Sequence, residues 1–255
     1  MRKIAIVSGA TNGIGLSIVR SFVEQGIFTI MLGRNVEKLR EIQKSLRYDM
    51  TDFYYMDMLD TNIINLCMQE IKSKYKVIDI LVNCAGVGEF RAIEKLSVDE
   101  LKTIVNTNLI GTIALTKEVV PVMISKKQGQ IINIESIAAT KGFEYGTAYV
   151  ASKFGIAGFS QVLWSELKKY EIKVCSIRPG LVNTELFRTV YEQHNLENAL
   201  SPEDITYLVD TVVNQSDKSN ISEIVVRPIK REAQNLFNEL IKHNEDYRDS
   251  LLSII

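Results

Sequence analysis

Tyr149 and Lys153 are the residues whose types and spacing most directly suggest chemistry. They stand four residues apart in a segment, 147–153, whose sequence is typical of the start of a helix. At that spacing two side chains lie on one helical face, one turn apart. A lysine ammonium beside a phenol favours the phenolate and lowers the tyrosine pKa from its usual value of about 10. Such a tyrosine can pass a proton to or from a reacting oxygen. A chance pair on a half-exposed helix face would explain the same residues, so the chemical interpretation depends on the elements that position the pair.

The composition is that of an ordinary soluble protein. The chain has 255 residues, of which 46% are hydrophobic and 24% are charged, and its net charge is −1. This length suits one large core, so we expect residues 1–255 to form a single domain. No basic run suggests nucleic acid, and no stretch approaches the roughly 18 apolar residues of a membrane span. We therefore expect neither nucleic acid nor a membrane as a partner.

Cysteine and histidine usage indicates a cytoplasmic protein without a metal site. The first residues lead straight into a strand, so we expect no cleavable signal peptide. Cys67, Cys84 and Cys175 are widely spaced, which suits reduced core thiols better than disulfides or metal ligands. The two histidines, His194 and His243, are too few and too far apart for a histidine-based metal centre.

A glycine-rich loop follows the first apolar run of the chain. Residues 4–7 are predicted to form a buried strand, and a helical pattern of apolar residues starts at Ile14. Residues 8–15 lie at this junction and have the sequence Ser-Gly-Ala-Thr-Asn-Gly-Ile-Gly. The glycines permit a tight turn and close approach of a ligand, and the free amides of a helix N-terminus suit a phosphate. A tight turn without a ligand is the alternative. We predict phosphate binding because the loop directly follows an N-terminal strand.

The second and third strands end in polar residues. No carboxylate follows the second strand, 28–32, where NAD-binding sheets hold a ribose hydroxyl. Arg34 follows instead, and its guanidinium suits a 2′-phosphate, so we expect NADP(H) rather than NAD(H). The alternative is a solvated arginine before the next helix, 36–46. Asp57 follows the third strand, 53–56, where it either accepts a hydrogen bond from an adenine amino group or caps a turn.

Strands and helices alternate along the whole chain. A helix at 61–75 precedes an apolar strand at 78–82, and further strands are predicted at 130–134, 173–177 and 223–226. This alternation predicts an α/β fold: one Rossmann-type, doubly wound, seven-stranded parallel sheet with helices on both faces. Ligands in such sheets bind beyond the carboxyl ends of the strands. We therefore expect the residues that follow the strands to lie close together.

Two polar residues before the tyrosine are also candidates. Asn108 stands on the apolar side of a helix that Ser97 and Glu100 begin with a capping box. A buried amide needs partners, so Asn108 either satisfies backbone groups at a helix irregularity or holds a water. Pro121 is expected to kink or end this helix. Ser136 follows the fifth strand, thirteen residues before the tyrosine, where a serine is either a turn residue or part of a site.

The segment after the sixth strand completes the predicted groove. Pro179 and Gly180 form a rigid turn there, and Thr184 is placed to bond an amide or phosphate of a ligand. We interpret residues 185–201 as a substrate lid, with an amphipathic surface helix as the alternative. Residues 230–255 are predicted to form a charged helical tail.

In this order the motifs resemble the short-chain dehydrogenase/reductase family in its common, shorter form. The resemblance covers residues 3–226 and rests on these motifs: the glycine loop, the small residues after the fourth strand, Asn108, Ser136, Tyr149 with Lys153, and Pro179-Gly180 with Thr184. It implies that Tyr149 is the proton donor or acceptor and that Lys153 lowers its pKa and holds the nicotinamide ribose. It also implies that Ser136 orients the substrate oxygen and that Asn108 positions a water in a proton relay.

The resemblance further implies a nicotinamide dinucleotide as the cofactor and a small carbonyl or alcohol as the substrate. Homodimers or homotetramers are the usual assemblies in the family. The implied cofactor-binding residues lie in the glycine loop, after the strands and in the acid–base pair: Gly9, Thr11, Asn12, Gly13, Ile14, Gly15, Arg34, Asp57, Met58, Asn83, Ala85, Gly86, Tyr149, Lys153, Pro179, Gly180, Val182 and Thr184.

Three residues depart from the family pattern. Ser8 stands where threonine is more usual and keeps the hydroxyl. Asn12 stands where many NADP-preferring members carry a second basic residue, which weakens the expectation of NADP(H). Glu135 precedes Ser136 where a small residue is common, and strand alternation should turn it away from Ser136. The sequence assigns Glu135 no role.

The chain is thus predicted to be an NAD(P)-dependent oxidoreductase that transfers a hydride between the nicotinamide and a small carbonyl or alcohol. A catalytically silent, NADPH-binding regulatory protein is the alternative, and it would not need Ser136, Tyr149 and Lys153 together. An epimerase-type relative that retains NAD is disfavoured by the glycine spacing and the short carboxyl-terminal region.

Overall fold

Seven parallel strands form one sheet in the computed structural model, which describes residues 2–188 and 196–230. Their order across the sheet is β3-β2-β1-β4-β5-β6-β7, and every neighbouring pair is parallel. The predicted Rossmann-type sheet is therefore confirmed. The strands are β1 (Ile4–Ser8), β2 (Phe28–Gly33), β3 (Thr51–Tyr55), β4 (Ile80–Asn83), β5 (Gly129–Ile134), β6 (Ile172–Pro179) and β7 (Glu223–Val226).

Helices cover both faces of this sheet. They are α1 (Gly13–Glu24), α2 (Val36–Ser45), α3 (Thr61–Lys74), α4 (Val98–Val105), α5 (Thr112–Lys126), α6 (Thr147–Leu167), α7 (Glu185–Arg188) and α8 (Pro202–Val213). Along β1, Ala5 and Val7 pack in the layer of α1 and α8, whereas Ile6 packs in the layer of α3, α5 and α6. Because both faces are covered, the central strands are almost wholly apolar.

Strand boundaries differ from the apolar runs that predicted them. β3 begins at Thr51 rather than at residue 53, because its polar first residues pair with β2. β6 continues beyond residue 177 to Pro179, which pairs with β7. Sheet pairing uses backbone groups, so polar residues extend a strand beyond its apolar run.

One continuous helix, Val98–Lys126, contains α4, a π-helical segment at Asn106–Gly111, and α5. Pro121 is expected from the sequence to kink or end this helix, and it does not end it, because it lies inside α5; the kink stays a prediction. The helix also has the length and composition of a membrane span, contrary to expectation, and 44% of its apolar window is buried. Leu115 and Val119 are 0% exposed in the layer against the sheet, as expected for a core helix.

The predicted lid and tail fall largely outside the described residues. Residues 185–188 of the predicted lid form α7 and residues 196–201 are also described, but residues 189–195 are not. Residues 231–255, nearly the whole predicted tail, also lie outside the described part. The lid, the helical tail and the single-domain organisation stay predictions.

Asp52 gathers three polar side chains near the start of β3, far from the strand ends that form the predicted groove. Its Oδ2 accepts hydrogen bonds from Tyr54 Oη (3.0 Å), Tyr75 Oη (2.8 Å) and Lys74 Nζ (2.8 Å). Burial raises the pKa of Asp52, but these hydrogen bonds outweigh it and hold the pKa below its ordinary value. The carboxylate therefore stabilises the folded state wherever it is ionised.

We expect Asp52→Asn to lower the free energy of unfolding by about 1–2 kcal/mol at neutral pH, because the charge-assisted hydrogen bonds are lost. A depressed folded-state pKa stabilises the protein above the unfolded value of about 3.9 and ceases to do so as the pH falls through the folded value. The difference between the two proteins should therefore be complete at pH 7 and shrink below about pH 4. Urea unfolding at both pH values measures it, and equal stabilities at pH 7 would contradict the role of Asp52.

Candidate active site

The loop between β1 and α1 has the geometry of a phosphate cradle. Gly9 and Gly13 have φ angles of +68° and +49°, which favour glycine. A Cβ on Gly9 would lie 2.9 Å from the Ala85 Cα, and one on Gly15 would collide with the Gly9 carbonyl. The N-cap residue of α1, Asn12, makes no side-chain capping bond. The first amides of α1 are therefore available to an anion.

Ser8 ties this loop to the neighbouring strand. Its Oγ accepts hydrogen bonds from the amides of Cys84 (3.1 Å) and Ala85 (3.2 Å), the residues that follow β4. β1 and β4 are adjacent although they are not consecutive, so their ends flank the point where the strand order reverses. Ligands of doubly wound sheets bind at this point. The serine hydroxyl thus fixes the floor of the predicted groove.

Two adjoining recesses form a groove along the carboxyl ends of the strands, and they share Gly9, Asn12 and Gly86. We call them the tyrosine half and the arginine half. The tyrosine half brings together these predicted site residues: Gly9, Asn12, Gly13, Ile14, Gly15, Gly86, Ser136, Tyr149, Lys153, Pro179, Gly180, Val182 and Thr184. The arginine half brings together these: Gly9, Thr11, Asn12, Arg34, Asp57, Met58, Ala85 and Gly86.

Tyr149 and Lys153 reach the tyrosine half from the first two turns of α6. The Tyr149 ring is 4% exposed and meets the edge of Phe90, with ring centroids 5.3 Å apart. Lys153 Nζ lies 5.5 Å from the centre of the Tyr149 ring and donates a hydrogen bond to the Ile134 carbonyl (3.3 Å). Helix α6 is thereby attached to the end of β5.

Ser136 lies directly beyond that strand end. It begins a 3₁₀ turn, Ile137–Ala139, and its Oγ accepts a hydrogen bond from the Ala138 amide (3.1 Å). The turn role is therefore observed, and Ser136 also lines the tyrosine half with Tyr149 and Lys153. A phenol, an ammonium and a hydroxyl thus converge at one end of the groove.

Asn108 supports the groove from behind. It lies in the π-helical segment, its Oδ1 accepts from the Val87 amide (2.8 Å), and its Nδ2 donates to the Val87 carbonyl (2.9 Å) and to Ser152 Oγ (3.1 Å). The alternative in which Asn108 satisfies backbone groups at a helix irregularity is therefore confirmed. Asn108 is 2% exposed and is not among the residues that line either half.

The structure does not bring the Asn83 side chain into the groove. Its Nδ2 donates to Thr116 Oγ1 (2.9 Å) and to Asn133 Oδ1 (2.8 Å), so it links β4 to α5 and β5. Strand alternation turns it toward the helix layer, and Cys84 lines the tyrosine half instead. Burial raises the pKa of the Cys84 thiol to about 12, so this cysteine is not a thiolate nucleophile at neutral pH.

In the arginine half, Asp57 Oδ1 accepts a hydrogen bond from the Leu59 amide (3.0 Å), so the turn-capping alternative is observed. Several residues that line the groove were not predicted. Most lie at or shortly after strand ends, whereas one lies in the π-helical segment and one in α7: Leu32, Gly33, Met56, Cys84, Val87, Ile134 and Glu135, then Thr107 and Leu186. Position near a strand end could have identified the first group, and no sequence signal indicated Thr107 or Leu186. Among the described residues, no group of three or more metal-ligating side chains occurs.

Comparisons with known proteins agree with this geometry. The family model "short chain dehydrogenase" matches residues 3–195. An uncharacterized oxidoreductase of Staphylococcus saprophyticus is 31% identical over 230 residues, which cover 89% of this chain and 97% of that protein. The closed form of a serine dehydrogenase complexed with NADP+ aligns with a TM-score of 0.82 and 31% identity, covering 88% of this chain and 94% of the other. A metagenomic short-chain oxidoreductase in complex with NADP aligns with a TM-score of 0.79 and 29% identity, covering 89% and 97%.

Proposed function

The chain belongs to the short-chain dehydrogenase family, and from that premise we propose that it interconverts a small carbonyl and its alcohol with NADP(H), using Tyr149 as the general acid and base. Family membership makes it an oxidoreductase that acts with NAD(P). The observation that carries the finer proposal is the convergence of Ser136, Tyr149 and Lys153 at one end of a groove whose floor is the glycine loop. A regulator that only bound the nucleotide would not need all three.

The groove fits a dinucleotide. The uncapped N-terminus of α1 suits a pyrophosphate, and Gly9 and Gly15 allow the loop to fold tightly enough to present it, because a side chain on either would collide with backbone. When bound at the tyrosine half, the nicotinamide supplies or accepts the hydride. Lys153 and Thr184 line that half and are the side chains we assign to hold this end of the cofactor.

The protein's own residues handle the proton and the geometry. Ser136 and Tyr149 hydroxyls both bond the substrate oxygen, and Tyr149 protonates it when a carbonyl is reduced. In the opposite direction Tyr149 accepts the proton that the alcohol loses. Asn108 orders the helix behind the site through Val87 and Ser152. Its role in holding a water of a proton relay rests on the family resemblance.

NADP(H) is supported over NAD(H) by one residue and by relatives. Arg34 lines the arginine half, where its guanidinium can meet a 2′-phosphate. The serine dehydrogenase and the metagenomic oxidoreductase were both solved with NADP. Asn12 is uncharged, so among the protein's residues the preference for NADP(H) depends on Arg34.

The proposal includes the assembly and the location of the protein, which we take to be a homodimer or homotetramer in the cytoplasm. Phe154 and Val162, eight residues apart on α6, are 47% and 58% exposed, which suits burial by a second copy of the chain. The three cysteines are free, as reduced thiols of a cytoplasmic protein would be.

Tyr149→Phe is expected to lower kcat by about 10²–10⁴-fold, because the proton donor is lost while the ring keeps its packing. A panel of carbonyls with NADPH and of alcohols with NADP+, followed by absorbance of the reduced nicotinamide, measures this and identifies the substrate class. NADPH binding by fluorescence titration should be nearly unchanged. Tyr207→Phe, which alters a tyrosine 72% exposed on α8, is the matched control. Undiminished turnover in Tyr149→Phe would refute the assignment.

Arg34→Ala is expected to weaken NADPH binding by about 10–100-fold, the equivalent of a charge-assisted hydrogen bond, and to leave NADH binding unchanged. Dissociation constants for both dinucleotides, obtained by fluorescence titration, give the comparison. Arg40→Ala, an exposed arginine on α2 that does not line the groove, serves as the control. Equal losses for the two dinucleotides would show that Arg34 does not select the 2′-phosphate.

A further inference from the structure

Glu135 is a buried carboxylate directly before Ser136. Its side chain is 0% exposed. Its Oε1 accepts hydrogen bonds from Ser160 Oγ (2.9 Å) and Ser176 Oγ (2.6 Å), and its Oε2 accepts one from Arg178 Nε (2.7 Å). As strand alternation predicts, the side chain points away from the groove that Ser136 lines. Glu135 therefore makes no contact in the site through its carboxylate, yet it is the immediate neighbour of a proposed site residue.

Arg178 extends this contact to the next strand. It is 5% exposed, and its two terminal nitrogens bond both oxygens of Glu223 at 3.0 Å each. Glu135, Arg178 and Glu223 thus form a chain of charges that runs from the end of β5, through the end of β6, to the first residue of β7. Bidentate arginine–carboxylate pairs fix geometry as well as charge. We call these three residues the strand-end clamp.

Two residues of the strand-end clamp each lie directly before a segment that lines the tyrosine half. On β5, Glu135 is followed by Ser136. On β6, Arg178 is followed by Pro179 and Gly180, which line the same recess. The backbone supports the same junction, since the Glu135 amide donates to the Ile177 carbonyl (2.8 Å) and the Gly180 amide to the Val226 carbonyl (2.8 Å).

A buried ion pair is a poor way to gain stability alone, because desolvation offsets most of the attraction. Apolar residues of similar size would pack between helix and sheet at least as well. What the carboxylate supplies is direction: three donors from α6 and β6 allow Glu135 one orientation. The backbone of Glu135, held in that orientation, then determines the position of the next residue, Ser136.

We propose that Glu135 is a positioning residue for the reaction, which holds Ser136 in register with Tyr149 by clamping the end of β5 to β6 through Arg178. The inference rests on the proposed function in that Ser136 is taken to orient the substrate oxygen. The carboxylate of Glu135 is buried away from the groove, so its effect passes through the backbone of Ser136.

Glu135→Gln tests this with the smallest change of shape. The amide can still accept from Ser160 and Ser176, but it cannot serve Arg178 Nε as a carboxylate does. We expect kcat to fall about 10–100-fold, the effect of a small misplacement of a reacting group, with the KM for NADPH changed less than threefold. Asp52→Asn is the matched control, since it also converts a carboxylate with three side-chain donors into an amide, far from the groove. That variant should lose stability and keep its kcat.

A double-mutant cycle shows whether the effect passes through Ser136. In a Ser136→Ala background, Glu135→Gln should cost less than about threefold in kcat, because residues that act as a unit are not additive. A full and additive loss in that background would overturn the proposal. So would a variant that loses thermal stability but keeps its kcat, or an equal loss of kcat in Asp52→Asn.

Hydrogen–deuterium exchange gives a readout that does not depend on turnover. Glu135→Gln should speed exchange at the amides of Ala138 and Gly180, which follow the two clamped strands, and leave β3 unchanged. Unchanged exchange at both amides would refute the clamp even if no substrate is found. Absent turnover in the wild-type protein, together with faster exchange in the variant, would instead reject the proposed function and keep the clamp.

Discussion

The hydrogen bond from the Lys153 ammonium to the Ile134 carbonyl joins helix α6 to the end of β5. Lys153 is 7% exposed, and a charge removed from water needs oxygen partners close by. This contact brings the first turn of α6, which carries Tyr149, to the strand end from which Ser136 follows. Apolar packing alone is non-directional and would leave the spacing of the phenol and the hydroxyl less sharply defined. The proposed acid–base chemistry therefore depends on one polar bond between a helix and a strand.

The parallel sheet places the strand end that Lys153 binds next to the other residues of the groove. All seven strands end at one edge, so residues far apart in the chain become neighbours there. Ser8 strengthens this edge by bonding two amides beyond β4, and the absence of a side chain on Gly9 lets the same segments approach closely. A dinucleotide groove results from backbone packing before any ligand contributes. The proposed catalytic groups then need only to be placed at one end of the groove.

Features that depend on local chemistry could be predicted from the sequence, and so could the sheet. The glycine loop is confined to residues 8–15, and Tyr149 and Lys153 lie one helical turn apart. A short stretch of sequence therefore contains each of these patterns. The partners of Asn83 show where local patterns fail, because one of them, Asn133, is 50 residues away. The bond between Glu135 and Arg178 joins residues 43 apart, and no local pattern encodes it. These features arise from tertiary packing.

Isotope transfer is the most direct test that this groove is the site of a hydride exchange with a carbonyl. The wild-type protein would be supplied with NADPH carrying deuterium on one face of the reacting nicotinamide carbon, and then with the opposite epimer, alongside a carbonyl identified by the panel. Mass spectrometry should find a single deuterium on the carbinol carbon of the product with one epimer and none with the other. An unlabelled product with both epimers, or equal labelling from each, would contradict a reaction held in one geometry by Ser136, Tyr149 and Lys153.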